Sequence, residues 1–235
     1  FVSGEDTVLA NSAQIKTKEF TIISDEDIAL GGKVESSTSL NATATKTVDI
    51  NGTISTPTIT ILAGSGISGD VLGNITTTIA NIKTTAGDML LGNSSIDATS
   101  IVLEATAGKV DHTGVLKASS IDVKAKIGID IYTTVNEVTL NNTSIGNINL
   151  TNTKAFELKS AIATNGAINI TSFGEVTIDE AKTLGLSDAN DLNITTYAGD
   201  IIVKNVTLGV AGDAKFDSSN VIDFTNAIVV ADELH

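Results

Sequence analysis

One short pattern keeps returning along the chain: an apolar residue, a polar one, an apolar one, then threonine. It reads INLT from Ile148, INIT from Ile168 and LNIT from Leu192. Equivalent breaks fall at Val8, Ile28, Val48, Val71, Met89, Val110, Ile129, Ile148, Ile168, Leu192 and Phe216, at intervals of 18 to 24 residues. If these are strands, the residue two positions on lies on the same face. Those positions hold Ala10, Leu30, Ile50, Gly73, Leu91, His112, Ile131, Leu150, Ile170, Ile194 and Ser218. Eight of the eleven are apolar against 41% of the whole chain, so the register persists beyond the residues that defined it.

A second strand signal follows each break by eight to twelve residues, as in FTII from Phe20, TITIL from Thr58, SIVLEA from Ser100, SIDVKA from Ser120 and EVTL from Glu137. Turn pairs precede several breaks: Gly69-Asp70, Gly87-Asp88, Gly108-Lys109, Gly146-Asn147 and Gly166-Ala167. Glycine there supplies positive φ, and Asp or Asn bonds its own backbone. Pro57 is the only proline, and helical spacing is scarce. The expected fold class is all-β.

A unit of about 21 residues with two or three short strands cannot bury its own apolar face, but a stack of such units can. The pattern predicts a parallel β-solenoid of about eleven rungs over residues 1–235, with each strand pairing its equivalent above and below. A β-sandwich also uses short alternating strands, but it does not require a constant repeat length. The ends FVSGEDTVLA and IVVADELH offer no amphipathic helix to cover a terminal rung. The expectation is therefore one solenoid, an internal section of a longer chain.

Composition narrows the function classes. Aromatics are 3% of the chain, so the core must be built from Ile, Val, Leu and Ala. A net charge of −14 disfavours nucleic acid and anionic membrane as partners, and no apolar run is long enough to cross a bilayer. All 14 basic residues are lysine, which removes the bidentate fork usual in carboxylate or phosphate recognition. Cysteine is absent, so disulfides and thiolate chemistry are excluded. A cysteine-free chain rich in Thr, Ser and Asn suits a bacterial exported protein.

The units GNINLTNT, GAINIT and GDIIVKNVTL resemble the repeats of filamentous haemagglutinin-type exoproteins, the large adhesins of two-partner secretion. The resemblance spans about residues 48–215 and implies a secreted, right-handed β-helix acting as an adhesin or as a stalk presenting one. It also implies host-cell or matrix glycans and proteins as partners of the full chain, reached from the cell surface by a monomeric segment. The Asn-Pro motifs of that family's secretion domain are missing, which points to the shaft rather than the secretion module.

Candidate chemistry is sparse. An outward column is expected at Asp111, Asp130, Asn149, Asn169, Asn193 and Asp217, either as an amide ladder or as a weak cation or sugar strip. Ten Asn-x-Ser/Thr sequons occur, at Asn41, Asn51, Asn74, Asn93, Asn141, Asn142, Asn149, Asn169, Asn193 and Asn205. The acidic clusters Asp25-Glu26-Asp27 and Asp188–Asp191 lack calcium-loop spacing and read as solvated turns. GSGISGD at 64–70 lacks the strand–Ser–helix context of a nucleophile elbow. Thr-x-Thr triplets scatter across register, which argues against an ice-binding face. No catalytic, cofactor-binding or metal-binding set emerges, and no cofactor is expected. His112 falls on an inward column, and Gly108 and Gly114 predict a bulge that turns it outward, free of metal. The expected role is a non-catalytic shaft or adhesin segment; a surface-coat segment and a polysaccharide-active β-helix enzyme are the alternatives.

Overall fold

Alternation of inward β-branched and outward polar side chains dictates what these residues form. In Ile148–Asn152, Ile168–Ser172 and Leu192–Thr196, every second side chain is buried and the intervening ones are half-exposed. The computed structural model describes residues 1–68, 73–185, 187–203 and 207–235, and among these there are strands and turns but no helix. The chain forms a parallel β-solenoid of about eleven turns, about 20 residues apart. It divides into two units, Phe1–Ser119 and Ser120–His235.

In the first unit, the opening strand of each coil stacks in parallel on its equivalent, in the register Thr7–Ile28–Val48–Ile67–Met89–Val110. The long strands Gln14–Ser24, Lys33–Ala44, Thr53–Ala63 and Asn74–Thr84 form the remaining faces. Register slips at Thr17/Glu19 and Glu35/Ser39 break two of these pairings at a corner. Buried hydroxyls serve that corner. Ser36 Oγ lies 2.7 Å from the carbonyls of Lys18 and Ser39, and Thr56 Oγ1 donates to Thr58 O at 3.1 Å.

The second unit repeats the scheme. Ile129–Thr134, Ile148–Asn152, Ile168–Ser172, Leu192–Thr196 and Ala214–Ser218 stack in order. Two shorter strands complete its later coils, such as Val176–Ile178 with Ala181–Thr183. The inward columns are aliphatic, Ile129–Ile148–Ile168–Leu192 and Ile131–Leu150–Ile170–Ile194, each residue no more than 2% exposed. Each such side chain contributes about 1.5–3 kcal/mol by leaving water.

A polar column closes the inner end of that first strand. Thr133, Asn152, Ser172 and Thr196 are in register and buried. Asn152 Oδ1 accepts from Thr133 Oγ1 at 2.8 Å and from Val135 N at 2.9 Å, while its Nδ2 donates to Lys154 O at 2.7 Å. Thr196 Oγ1 similarly reaches Gly199 O at 2.9 Å. These side chains satisfy the backbone of the turn, which would otherwise lose its hydrogen bonds on burial.

Eight of the eleven expected strand starts stand at the aligned position; Val8 and Phe216 do not. Thr7 points inward and Val8 is 72% exposed, and Ala214 takes the place expected of Phe216. Val71 lies outside the described residues, and Ile67 pairs both Val48 and Met89. The turn glycines also divide. Gly146 has φ 98°, as expected, whereas Gly87 is required by crowding, since a Cβ there would collide with the Ser65 carbonyl of the neighbouring coil.

His112 departs from its expected exposure. It is 2% exposed, within the unbroken strand Val110–Lys117. The turn before it delivers Ser94 O into the interior, 2.8 Å from Nε2, so the imidazole has a hydrogen-bond partner without turning outward. Gly114 serves this approach rather than a bulge, because a Cβ there would lie 2.2 Å from Ser94 O. Nδ1 is buried without a partner.

Two predictions follow from this core. Asn152→Leu is isosteric enough to fit but strands the turn's polar groups, so urea unfolding should show a loss of about 2–4 kcal/mol. Asn152→Ser, the residue at the equivalent position 172, should cost less. His112 is held neutral chiefly by burial, against the opposing pull of its bond to Ser94 and the charge of Asp111, so its folded pKa is below the ordinary value. Unfolded, it protonates near pH ~6.5, so below that pH the unfolded state binds the extra proton. Its contribution is fully present above ~6.5 and is lost as pH falls toward the folded pKa. His112→Gln keeps a donor for Ser94 O and should flatten the drop in urea midpoint between about pH 7 and about pH 5.

Candidate functional site

Five residues that precede opening strands perform a shared task. Side-chain oxygens of Asp6, Asp27, Asp88, Asn147 and Asp191 accept the backbone N–H at the same position one coil further on, from Asp27, Thr47, Lys109, Ala167 and Asp213. The distances run from 2.8 to 3.2 Å. Asp88 and Asn147, expected to bond their own turns, instead tie successive coils together, as do the other three. Asp27 also accepts from Thr47 Oγ1 at 2.6 Å, and that bond, with the Thr47 N–H bond next, holds its carboxyl below the usual range. Two members of the acidic clusters, Asp27 and Asp191, are therefore interlocks, and Glu26 pairs with Lys46.

The outward column is an amide ladder through the second unit. Asp130, Asn149, Asn169 and Asn193 stand in register. Asn169 Nδ2 donates to Asn149 Oδ1 at 2.9 Å, and Asn193 Nδ2 to Asn169 Oδ1 at 3.0 Å. Asp217 does not belong to this column: Asn193 pairs Lys215, and Asp217 pairs Thr195. The shift follows from Ala214 rather than Phe216 opening that strand. In the first unit, Asp111 stands opposite Leu90 and is ion-paired with Lys109 at 2.7 Å. The expected column is thus an amide ladder from Asn149 to Asn193, and it does not extend to Asp217.

The same geometry sorts the sequons. Asn142 is fully buried, with Oδ1 accepting from Gly128 N at 3.1 Å and Nδ2 donating to Ile145 O at 2.9 Å. Asn169 and Asn193 have their amide nitrogens engaged in the ladder. Asn41, Asn51, Asn141 and Asn149 are half-exposed, Asn74 and Asn93 are exposed, and Asn205 lies outside the described residues. In GSGISGD, Gly66–Ser68 is an opening strand, while Gly69 and Asp70 lie outside the described residues.

Convergent carboxylates are mostly neutralised by lysine. Glu157 and Asp179 share Lys159, at 2.6 and 3.3 Å, and the bond from Lys159 is the main influence holding the Glu157 carboxyl below its usual range. Glu180 is held low by Lys182 first and by the Ser160 hydroxyl. Two features escaped the sequence reading. Phe173 and Tyr197 occupy one corner of successive coils, both exposed, with ring centroids 5.2 Å apart. Asp213, Glu233 and His235 bring their ligand atoms within 4.8 Å of one another. The second was detectable from the 20-residue step between Asp213 and Glu233, one coil length, with Glu and His two apart either side of Leu234, which bridges Ala214.

Asn169→Asp removes the donor to Asn149 and places a carboxylate against its oxygen. Urea unfolding at neutral pH should show a loss of about 1 kcal/mol, shrinking once the acid is protonated. An unchanged midpoint at both pH values would show that the ladder contributes nothing.

Comparison with protein-family models, curated proteins and solved structures finds no match to this chain, so nothing there identifies haemagglutinin-like repeats.

Proposed function

We propose that the chain is a non-catalytic shaft or adhesin segment of a secreted or cell-surface bacterial protein, carrying binding surfaces away from the cell. One observation carries the reading: the polar side chains that recur from coil to coil are spent on joining coils. Asn169 and Asn193 bond along the stack, and Asp6, Asp27, Asp88, Asn147 and Asp191 cap the next coil. Catalysis of polysaccharide cleavage calls instead for carboxylates free to exchange protons with a substrate. The acidic surface opposes side-by-side association of such shafts at low salt. The exposed Phe173–Tyr197 pair favours an adhesive surface over a bare stalk, since water-exposed aromatics gain most from a partner.

A shaft tolerates a change of length that an active site does not. Deleting residues 148–167 removes one coil and brings Ile168 to the register of Ile148 on Ile129. The shortened chain should keep a β-sheet circular dichroism spectrum and a cooperative melt. The parent chain should release no reducing ends from neutral or acidic polysaccharides. Turnover of any of them, abolished by the deletion, would overthrow the reading.

A further inference from the structure

We infer that Asp213, Glu233 and His235 form a binding site for a first-row divalent metal of the zinc class, clipping the Glu233–His235 segment to the coil before it. Backbone pairing fixes the placement. Ala214 N donates to Glu233 O at 2.8 Å, His235 N to Ala214 O at 2.9 Å and Phe216 N to His235 O at 3.1 Å. Leu234 is thereby set opposite Ala214, and Glu233 and His235, two residues apart, share the face that carries Asp213.

The donor atoms converge. His235 Nε2 lies 3.2 Å from Glu233 Oε2 and 4.0 Å from Asp213 Oδ2. All three ligand atoms lie within 4.8 Å of one another, and the side chains are exposed enough to close on a metal about 2.0–2.2 Å from each. A separate observation marks Asp213. Its counterparts Asp6, Asp27, Asp88, Asn147 and Asp191 all accept a backbone N–H from the next coil. Among the described residues, the Asp213 carboxylate takes no such bond and faces His235 instead. The substitution of imidazole for lysine matters too. Glu157 and Asp179 are joined by Lys159, which cannot ligate a metal as an ammonium, whereas Nε2 of a neutral imidazole can. One imidazole and two carboxylates suit zinc, cobalt, iron(II) or manganese. Calcium, which takes six to eight oxygens, is a poorer fit. Lys215 stands on the same strand face beyond Asp213, but the acids outnumber it.

The test is titration of the whole chain with zinc chloride and with calcium chloride by isothermal calorimetry at neutral pH. The expected result is saturable zinc binding at one ion per chain, weakened at least tenfold by His235→Gln and by Asp213→Asn. Calcium should bind at least tenfold more weakly. Hydrogen exchange should slow at Ile228–Val230 and Leu234 when zinc is added to the parent chain and not to either variant. Asp217→Asn, an acid outside the cluster, should leave zinc binding unchanged. No saturable zinc binding, equal binding of calcium, or zinc binding indifferent to both cluster variants would overturn the inference.

Discussion

Parallel pairing of each strand with its own equivalent one coil away is the interaction on which everything else depends. It places like residue on like, about 4.8 Å apart, so one side-chain choice is repeated as a column. Aliphatic columns such as Ile129–Ile148–Ile168–Leu192 can then fill most of an interior, with few aromatics such as Phe156 and Phe216 among them. Polar columns can bond along the stack. No single coil could bury its apolar face, so stability resides in the contacts between neighbours.

Two sets of side chains protect that pairing at the corners. Inside, Thr133, Asn152, Ser172 and Thr196 supply turn backbones with partners. Outside, Asp6, Asp27, Asp88, Asn147 and Asp191, each just before an opening strand, bond one coil ahead. Both arrangements fix register as well as stability, because a slip of one residue would strand buried donors and expose the aliphatic columns. The surface ion pairs add little, as exposed lysine–carboxylate pairs contribute about 0–1 kcal/mol each.

The repeat was legible because buried aliphatic and half-exposed polar positions alternate regularly, as in Ile148–Asn152, Ile168–Ser172 and Leu192–Thr196. It blurred toward the ends. There Thr7 takes the inward position beside the exposed Val8, and Ala214 opens a strand whose more conspicuous inward residue is Phe216. His112 was misread because its partner, a backbone carbonyl at Ser94, leaves no trace in side-chain chemistry. Asn152 was hidden for the opposite reason: a polar residue at an inward position looks like an outward one until the turn it serves is seen. The cluster at Asp213, Glu233 and His235 needed the coil length to be applied once more past the last recognisable unit.

Register is the central claim, and the absence of cysteine makes it directly measurable. Disulfides require Cα atoms roughly 4.4–6.8 Å apart, within reach of neighbours in a parallel ladder but not of residues offset by two along the strand. In the pairing described, Asn193 stands beside Lys215, and Asp217 lies two residues further on. The double variant Asn193→Cys/Lys215→Cys should therefore form an intramolecular disulfide rapidly under mild oxidation of the folded chain, while Asn193→Cys/Asp217→Cys should remain reduced. Faster cross-linking of the second pair would contradict the register, and with it the columns on which the rest of the account is built.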